Sequence, residues 1–514
     1  VRRLIILVTA LAVVSAAGFA QAGPPRQLSR HELRDKIRGA WAAQMIGVAY
    51  GAPTEFKALG KILEGEIKGA ELANAIEQDD LYVEMTFARV MDTVGLGATT
   101  ADYGEAFKNT KYKLWHANAA ARRNLNRGIA APMSGHPKYN LHADDIDFQI
   151  EADFIGIMCP GLPESSNQFC DRVGRVMNYG DGLYGGMFVC GMYSAAYFES
   201  DPRKVVEAGV ACIPAESPYA RIIRDVLQWS ADERDWRTVW QKVEAKWDKH
   251  DICPDGANRP FNIDAKINGA YIAIGLLYGR RDWQQTMEIT TRCGQDSDCN
   301  PASALGVLGA MLGYDRLRER DKAEIARLAD RRFSHTEYSF NDIVRSTEAR
   351  ALEVIRRAGG AVSETKVAIP HQAPQPPALE LWNFGIPVKV LRNEEPAWRW
   401  RGEWADGVDH HNLGVKQSDR PGSEATLKFR GTGVALVGQL AEDGGRADVY
   451  IDEKKAELVA DAYIVPNTID RDLWRIYGLA PGEHTLRLVV REDADPRSAG
   501  RRIIISRAVV FQVE

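Results

Sequence analysis

A change of hydrophobic period at a proline-rich stretch constrains this chain more than any other feature. Before Ala368–Pro377 (AIPHQAPQPP) apolar residues recur every three to four positions, and after it they alternate. A period near 3.6 suits helices and a period of two suits strands. One chain carrying both, split by a stretch with neither, describes two domains joined by an extended linker. Length agrees, since 514 residues exceed what a single core serves. The expected architecture is multidomain: an all-α bundle over 28–360, a linker over 361–384, and an all-β jelly-roll-like sandwich over 385–514.

Within the first part, Leu33, Ile37, Trp41, Met45 and Val48 make one apolar stripe on an opening helix. Ser29 and Glu32 have capping-box spacing for its start, and Gly51-Ala52-Pro53 stops it. Leu81 to Val94, Phe188 to Phe198, Ile267 to Tyr278 and Ala302 to Leu312 read as further helices. The last three are apolar nearly all round, as central helices packed on several sides should be. In the second part Leu427 to Phe429, Ala447 to Ile451, Leu486 to Val490 and Ile503 to Val510 read as strands.

The N-terminus has the make-up of a secretory signal peptide: Arg2-Arg3, an apolar run from Leu4 to Val14, and Ala20-Gln21-Ala22. Cleavage after Ala22 is expected, giving a periplasmic or secreted protein with no membrane partner once cleaved. The apolar run is short for the ~30 Å of a bilayer core. A formal net charge of −5, from 65 basic and 70 acidic residues, offers no nucleic-acid surface. The seven cysteines show no paired CxxC pattern and read as buried core thiols.

Two acidic clusters carry the chemistry. Gln78-Asp79-Asp80 opens the helix that bears Glu84, and Asp296-Ser297-Asp298-Cys299 precedes Asn300-Pro301, a good N-cap and first helical residue. Helix capping and surface charge explain most isolated acidic pairs. The second cluster, however, lies between two apolar helices, where uncompensated carboxylates are costly. A hard cation resolves that cost, and oxygen ligands favour Mg2+, or Mn2+ or Ca2+, over zinc.

These motifs resemble those of the ADP-ribosylglycohydrolases, a helical family with an early G-x-x-x-G-x-x-x-E segment, a T-D-D motif and a late G-G-D-T-D-T motif. The counterparts here are Gly47 to Glu55, Gln78-Asp79-Asp80 and Gly294 to Cys299, in the same order. The resemblance implies that Asp79, Asp80, Asp296 and Asp298 hold one or two ions. It gives Glu55 the role of acid/base or water-positioning group. Gln78 and Cys299 stand where the family has threonines, and Val48 where it usually has aspartate. The expected site is therefore a modified form of the two-magnesium ADP-ribose site.

A polar stretch follows the first cluster. Trp115, His116 and Asn118 come first, then Asp144, Asp147 and Glu151 at helical spacing, then Asp181 and Tyr184 in a glycine-rich segment. These read as walls of a pocket facing the metal. Glu151 and Asp181 join Glu55 as candidate catalytic carboxyls. Gln78, Trp115, His116, Asn118, Asp147 and Tyr184 are candidate substrate contacts. For Asp144, Asp145 and Asp153 a solvated helix face is an equal reading. The β domain has no catalytic constellation. Its Trp398, Trp400, Trp404, His410-His411, Tyr463 and Trp474 are many aromatic and imidazole groups for a small sandwich, and its stretches Phe429 to Val434, Val449 to Asp452 and Gly482 to Leu488 resemble galactose-binding-like modules.

Together these features lead to a secreted, divalent-metal-dependent glycosidase that cleaves a furanosidic or related bond in an extracellular glycan. The partner is then a carbohydrate or glycoside. One alternative is a hydrolase of ADP-ribosyl-protein or ADP-ribose conjugates. Another is a catalytically silent carbohydrate-binding protein.

Overall fold

A computed structural model describes residues 24–248, 252–408, 413–465 and 468–513. The leader expected at 1–22 and the pair His410-His411 lie outside the described residues. Helices run from Arg30 to Arg357 and strands dominate from Ala361 to Gln512. No helix among the described residues is long and apolar enough to cross a membrane.

The opening helix, Arg30–Gly51, begins where Ser29 Oγ accepts the Glu32 N–H at 3.0 Å. Its stripe residues Leu33, Ile37, Trp41, Met45 and Val48 are all buried. It lies against the helix Cys299–Leu312 at a separation only glycine permits. A Cβ on Gly47 would stand 2.3 Å from the Pro301 carbonyl oxygen, and one on Gly51 would stand 2.1 Å from that of Ser297. The Gly47/Gly51 spacing therefore seats this helix on the loop that carries Asp296 and Asp298.

The helix read over Phe188 to Phe198 begins earlier, spanning Gly180–Ala196. Gly182, Gly185 and Gly186 sit inside it, within 2.3 to 2.6 Å (as Cβ positions) of Ala143 O, Gln149 Oε1 and the Phe148 ring. Each glycine costs a helix about 1 kcal/mol, a cost offset here by the close packing that glycine alone allows. The stretch read as one helical face through Asp144, Asp147 and Glu151 is instead broken. A single turn, Asp147–Ile150, is followed by a separate helix, Asp153–Met158, with Glu151 between them. Asp145 and Asp153 are buried, so the solvated-face reading does not hold for them.

Within residues 361–369, expected in the linker, Ala361–Val362 and Lys366–Ile369 form strands. Lys366–Ile369 pairs with both Arg26–Ser29 and Ala361–Val362, tying the two ends of the helical domain together. The chain then runs as an extended strap over the helices. Gln372 Oε1 accepts the Ser165 N–H at 3.1 Å, Asn167 Nδ2 donates to Gln375 O at 3.0 Å, and Arg175 meets Glu380 at 2.8 Å.

The β domain is antiparallel, built on the long strands Glu424–Leu440, Thr468–Ala494 and Ile503–Gln512. Period-two alternation divides their side chains between two layers. Val434, Leu436, Ala508 and Val510 enter the core of the β domain. Their neighbours Ala435, Val437, Val509 and Phe511 form a second cluster with Leu141 of the helical domain. Being covered on both faces explains why these strands are apolar almost throughout. Beside this contact Asp472 is buried between Arg123 and Arg475, at 3.2 and 2.5 Å. The two guanidiniums overcome the opposing effect of burial and hold its carboxyl well below the usual range.

Forcing a methyl group into a packed contact costs typically 1–3 kcal/mol. Gly47→Ala is therefore expected to lower the apparent thermal midpoint. Gly97→Ala, where a Cβ meets nothing within 4 Å, should leave it nearly unchanged. Equal midpoints for the two variants would remove the argument for a glycine-dependent seat.

Candidate metal centre

Two helix N-termini aim carboxylates at one buried point. Asp79 and Asp80 start the helix Asp79–Thr93. Asp298 occupies the N-cap position of Cys299–Leu312, where its side chain makes no capping hydrogen bond. That helix begins at Cys299, just ahead of the Asn300-Pro301 start expected from sequence. Gln295 has a left-handed φ of 53°, turning the loop so that Asp296 and Asp298 point the same way. Oxygens of Asp296 and Asp298 lie within 4.8 Å of each other and of Cys299 Sγ, and the same limit holds for Asp79, Asp80 and Cys299. The loop is pinned from below by Thr54 Oγ1 and Ser297 Oγ at 2.8 Å.

Asp80, Asp296 and Asp298 are at most 3% exposed. Burial, then repulsion from neighbouring carboxylates, pushes all three well above the usual carboxylate range. Burial also raises Asp79. Glu55 stands at the exposed rim, yet desolvation of its carboxyl and the charges of Asp298 and Asp79 push it up to about 8. Buried oxygens of Asp80 and Asp296 (Oδ1 of each) have no hydrogen-bond partner. Repelling carboxylates with unpartnered buried oxygens suit a divalent cation, and this donor set is mainly the hard oxygen type. Cys299 is the soft exception. Its thiol, raised by burial and the surrounding aspartates, donates to Asp80 Oδ2 at 3.2 Å.

The structure brings some of the other sequence-chosen residues to this centre. Glu151 is buried, accepts a short hydrogen bond from Asn118 Nδ2, and leaves Oε2 unpartnered. Burial and then Asp147, with Asp79 and Asp80 behind, raise it well above its ordinary range. His116 is close enough to Asp79 to stabilise its charge. Gln78 is half-buried just before Asp79 and donates to Asn74 Oδ1 at 2.7 Å. Trp115 is 38% exposed at the head of the helix His116–Asn126, under the Lys113 ammonium.

Others are placed elsewhere. Asp147 accepts the N–H groups of Ala117 and Asn118 at 3.1 and 2.9 Å, which makes it a cap for that helix. Asp181 accepts the Tyr219 N–H at 3.2 Å and faces Lys266, away from the four aspartates. The Tyr184 hydroxyl donates to Ala378 O and accepts the Glu380 N–H, so it anchors the strap. Asn124, Asn140 and Asn178, in the same polar stretch, spend their amides on backbone carbonyls.

One network had no sequence signal beyond a lone polar residue in the opening stripe. Gln44 Nε2 donates to Glu84 Oε1 at 3.0 Å and to Asp153 Oδ2 at 3.1 Å. Ser303 adds a bond to Asp153 at 3.2 Å, and the Phe154 N–H one to Glu84 at 2.8 Å. Burial raises both acids, Asp153 to about 7, and this pair backs onto Asp80.

Acidic doublets at two helix N-termini, in a bundle of Gly/Ala-rich helices, define a helical hydrolase fold with candidate metal-binding clusters. The chain belongs to the ADP-ribosylglycohydrolase family, whose model matches residues 29–342. An A type blood alpha-D-galactosamine galactosaminidase of Flavonifractor plautii is 35% identical over 94 residues, which is 17% of this chain and 8% of that protein. The chain thus spans under a tenth of that curated relative. Among solved structures, an ADP-ribosylglycohydrolase-related protein complex aligns with 63% of this chain and 99% of its own, at 15% identity and a TM-score of 0.40. The CBM36-1 domain of a multidomain xylanase from the hindgut metagenome of Trinervitermes trinervoides aligns with 24% of this chain and 98% of its own, at 13% identity and a TM-score of 0.19.

A carboxyl raised in the native state binds its proton more tightly when folded. Its contribution is fully present below the unfolded value near 4 and is lost as pH rises to the native value. Glu55 at about 8 and Asp153 at about 7 set the window. In chelator, the midpoint should fall between about pH 5.5 and about pH 8. At the upper pH, Mg2+ should raise it again, and Asp80→Asn should abolish that gain. A gain that survives in the variant would place the cation elsewhere.

Proposed function

We propose that the protein hydrolyses an ADP-ribosyl conjugate, or a closely related ribofuranosyl linkage, with divalent metal at Asp79, Asp80, Asp296 and Asp298. The observation that supports this most directly is the pair of aspartate clusters, Asp79 with Asp80 and Asp296 with Asp298, that meet at Cys299 within the residues that match the family. When bound, a divalent cation would offset the carboxylate charge and polarise sugar hydroxyls. The chain's own groups handle the proton. In the metal-free chain burial and the Asp298 and Asp79 charges hold Glu55 up to about 8 at the open rim, and a cation bound at those aspartates would draw it back down. From there it can protonate the departing atom, or once ionised accept a proton from water. Glu151, oriented by Asn118, is a second carboxyl next to the aspartates, raised in the metal-free chain by burial and then by Asp147. In the reaction the anomeric bond to the leaving group breaks and a water oxygen takes its place. One water proton ends on the leaving group.

The second reading is a glycosidase acting on an extracellular glycan, the function placed first by the sequence. Its support is the 94-residue similarity to a galactosaminidase, together with the export leader expected at the N-terminus. The family match over 29–342 puts the ADP-ribosyl reading ahead of it.

The deciding assay gives the full chain, with Mg2+ or Mn2+, peptides ADP-ribosylated on arginine or serine and a panel of furanosides and pyranosides. Release of ADP-ribose is expected, reduced on the order of a hundredfold or more in Asp298→Asn. Turnover of glycans alone would establish the second reading instead. Equal rates in wild type and variant would end the case for metal catalysis. Absence of both turnover and metal binding would indicate a silent carbohydrate-binding protein.

A further inference from the structure

A second cluster of ligating side chains lies beside the aspartate centre and differs from it in chemistry. His116 opens the helix His116–Asn126, His142 and Asp145 sit on the turn before Asp147, and Cys253 lies on the loop before Ala265–Gly279. One donor atom from each of the four lies within 4.8 Å of the others. Asp145 Oδ2 is 2.7 Å from His142 Nδ1 and 3.3 Å from His116 Nδ1, and Cys253 Sγ is 3.7 Å from His142 Nδ1. Zinc bonds of about 2.0–2.1 Å to nitrogen or oxygen and about 2.3 Å to sulfur imply tetrahedral edges of about 3.3 Å between N/O donors. The same bonds imply about 3.6 Å between nitrogen and sulfur. Two of the three separations already match those edges. The shortest is a hydrogen bond whose proton a metal would replace.

We propose that His116, His142, Asp145 and Cys253 form a separate, structural site for a zinc-class transition metal. The donor set of two imidazoles, one thiolate and one carboxylate is borderline-soft, and so selects against Mg2+ and Ca2+. Four protein donors leave no open position, the mark of a structural site. Asp145 is 1% exposed, and its Oδ1 has no hydrogen-bond partner. The surroundings are those of a built site. Ile146, Ile150 and Ile263 cluster with Cys253, and Phe261 stacks on His116 with ring centroids 5.9 Å apart. His142 Nε2 faces Asp472 Oδ1 of the β domain at 3.9 Å. A ligating histidine commonly turns its other nitrogen to such a carboxylate. Loading releases the thiol proton to solvent, and His142 binds through a bare Nδ1 as neutral imidazole with its proton on Nε2, toward Asp472. The bound ion would join the head of the His116 helix, the turn before Asp147 and the Cys253 loop, under the β domain.

Cobalt(II) titration of the metal-free full chain tests this, because a thiolate ligand gives a charge-transfer band and tetrahedral geometry an intense visible spectrum. The expected result is one equivalent bound with that band, absent in Cys253→Ser and retained in Cys299→Ser. No band in the wild type would overturn the proposal. So would a band that survives in Cys253→Ser and vanishes in Cys299→Ser, since that places the metal at the aspartates. Should Cys253→Ser fail to fold, X-ray absorption on the zinc-loaded wild type decides. One sulfur with two imidazoles is expected, and an oxygen-only shell refutes the site. Neither measurement uses turnover, so the outcome is independent of the proposed substrate.

Discussion

Asp79, Asp80, Asp296 and Asp298 reach one another because two helix N-termini and a glycine-lined contact carry them there, and the rest of the helical domain answers to their repulsion. Two carboxylates about 4–5 Å apart repel by about 3–4 kcal/mol at an effective dielectric near 20. A helix N-terminus returns about 0.3–1 kcal/mol. Several such pairs compare with the whole stability of a domain, about 5–15 kcal/mol. The N-termini therefore orient these groups without neutralising them. Protons do so in the metal-free chain, as the raised carboxyls show, and a cation does so in the proposed working form. The Glu84–Gln44–Asp153 bridge beneath Asp80 fits the same logic, because one amide satisfies two acids that cannot both be charged at low cost.

Much of this was legible in the sequence, and the limit follows the range of the forces involved. Hydrophobic period, capping by Ser29 and the acidic doublets are local; they place the helices, and they put the acidic doublets at the starts of two of them. Misread residues were those whose partner lies far along the chain. Asp147 has helical spacing with Glu151, but its carboxylate caps a helix some thirty residues earlier. Tyr184 sits in a segment that looks like a binding loop, yet its hydroxyl holds residues of the strap. Gly182, Gly185 and Gly186 suggest a loop by propensity, and tertiary packing overrides that preference. His142, Asp145 and Cys253 carry no motif, because the fold alone brings them to His116.

The two domains are joined by more than the strap. Strands with apolar residues on both faces cannot be left uncovered, so Ala435, Val437, Val509 and Phe511 need the helical domain around Leu141. Within that contact Asp472 depends on Arg123 from one domain and Arg475 from its own. Losing one partner of a buried pair costs about 3–5 kcal/mol, since the other charge stays buried. The β domain thus braces the helix whose first residue, His116, stands beside Asp79.

Cys299 bears most directly on how this centre differs from others of its family. Threonine offers a hydroxyl that both donates a hydrogen bond and ligates a hard cation. The thiol here donates, to Asp80 Oδ2, and so helps to orient that aspartate. A hard-ion oxygen ligand is lost, since a protonated thiol is a poor partner for magnesium. Position 78 changes in the opposite sense, because Gln78 offers a longer side chain with an amide oxygen in place of a short hydroxyl. It is engaged with Asn74 through its nitrogen, which leaves that oxygen directed by a residue outside the motif. In the proposed metal-bound form the four carboxylates would supply the charge, while Gln78 and Cys299 alter the edges of the site, where a sugar must be told from its relatives.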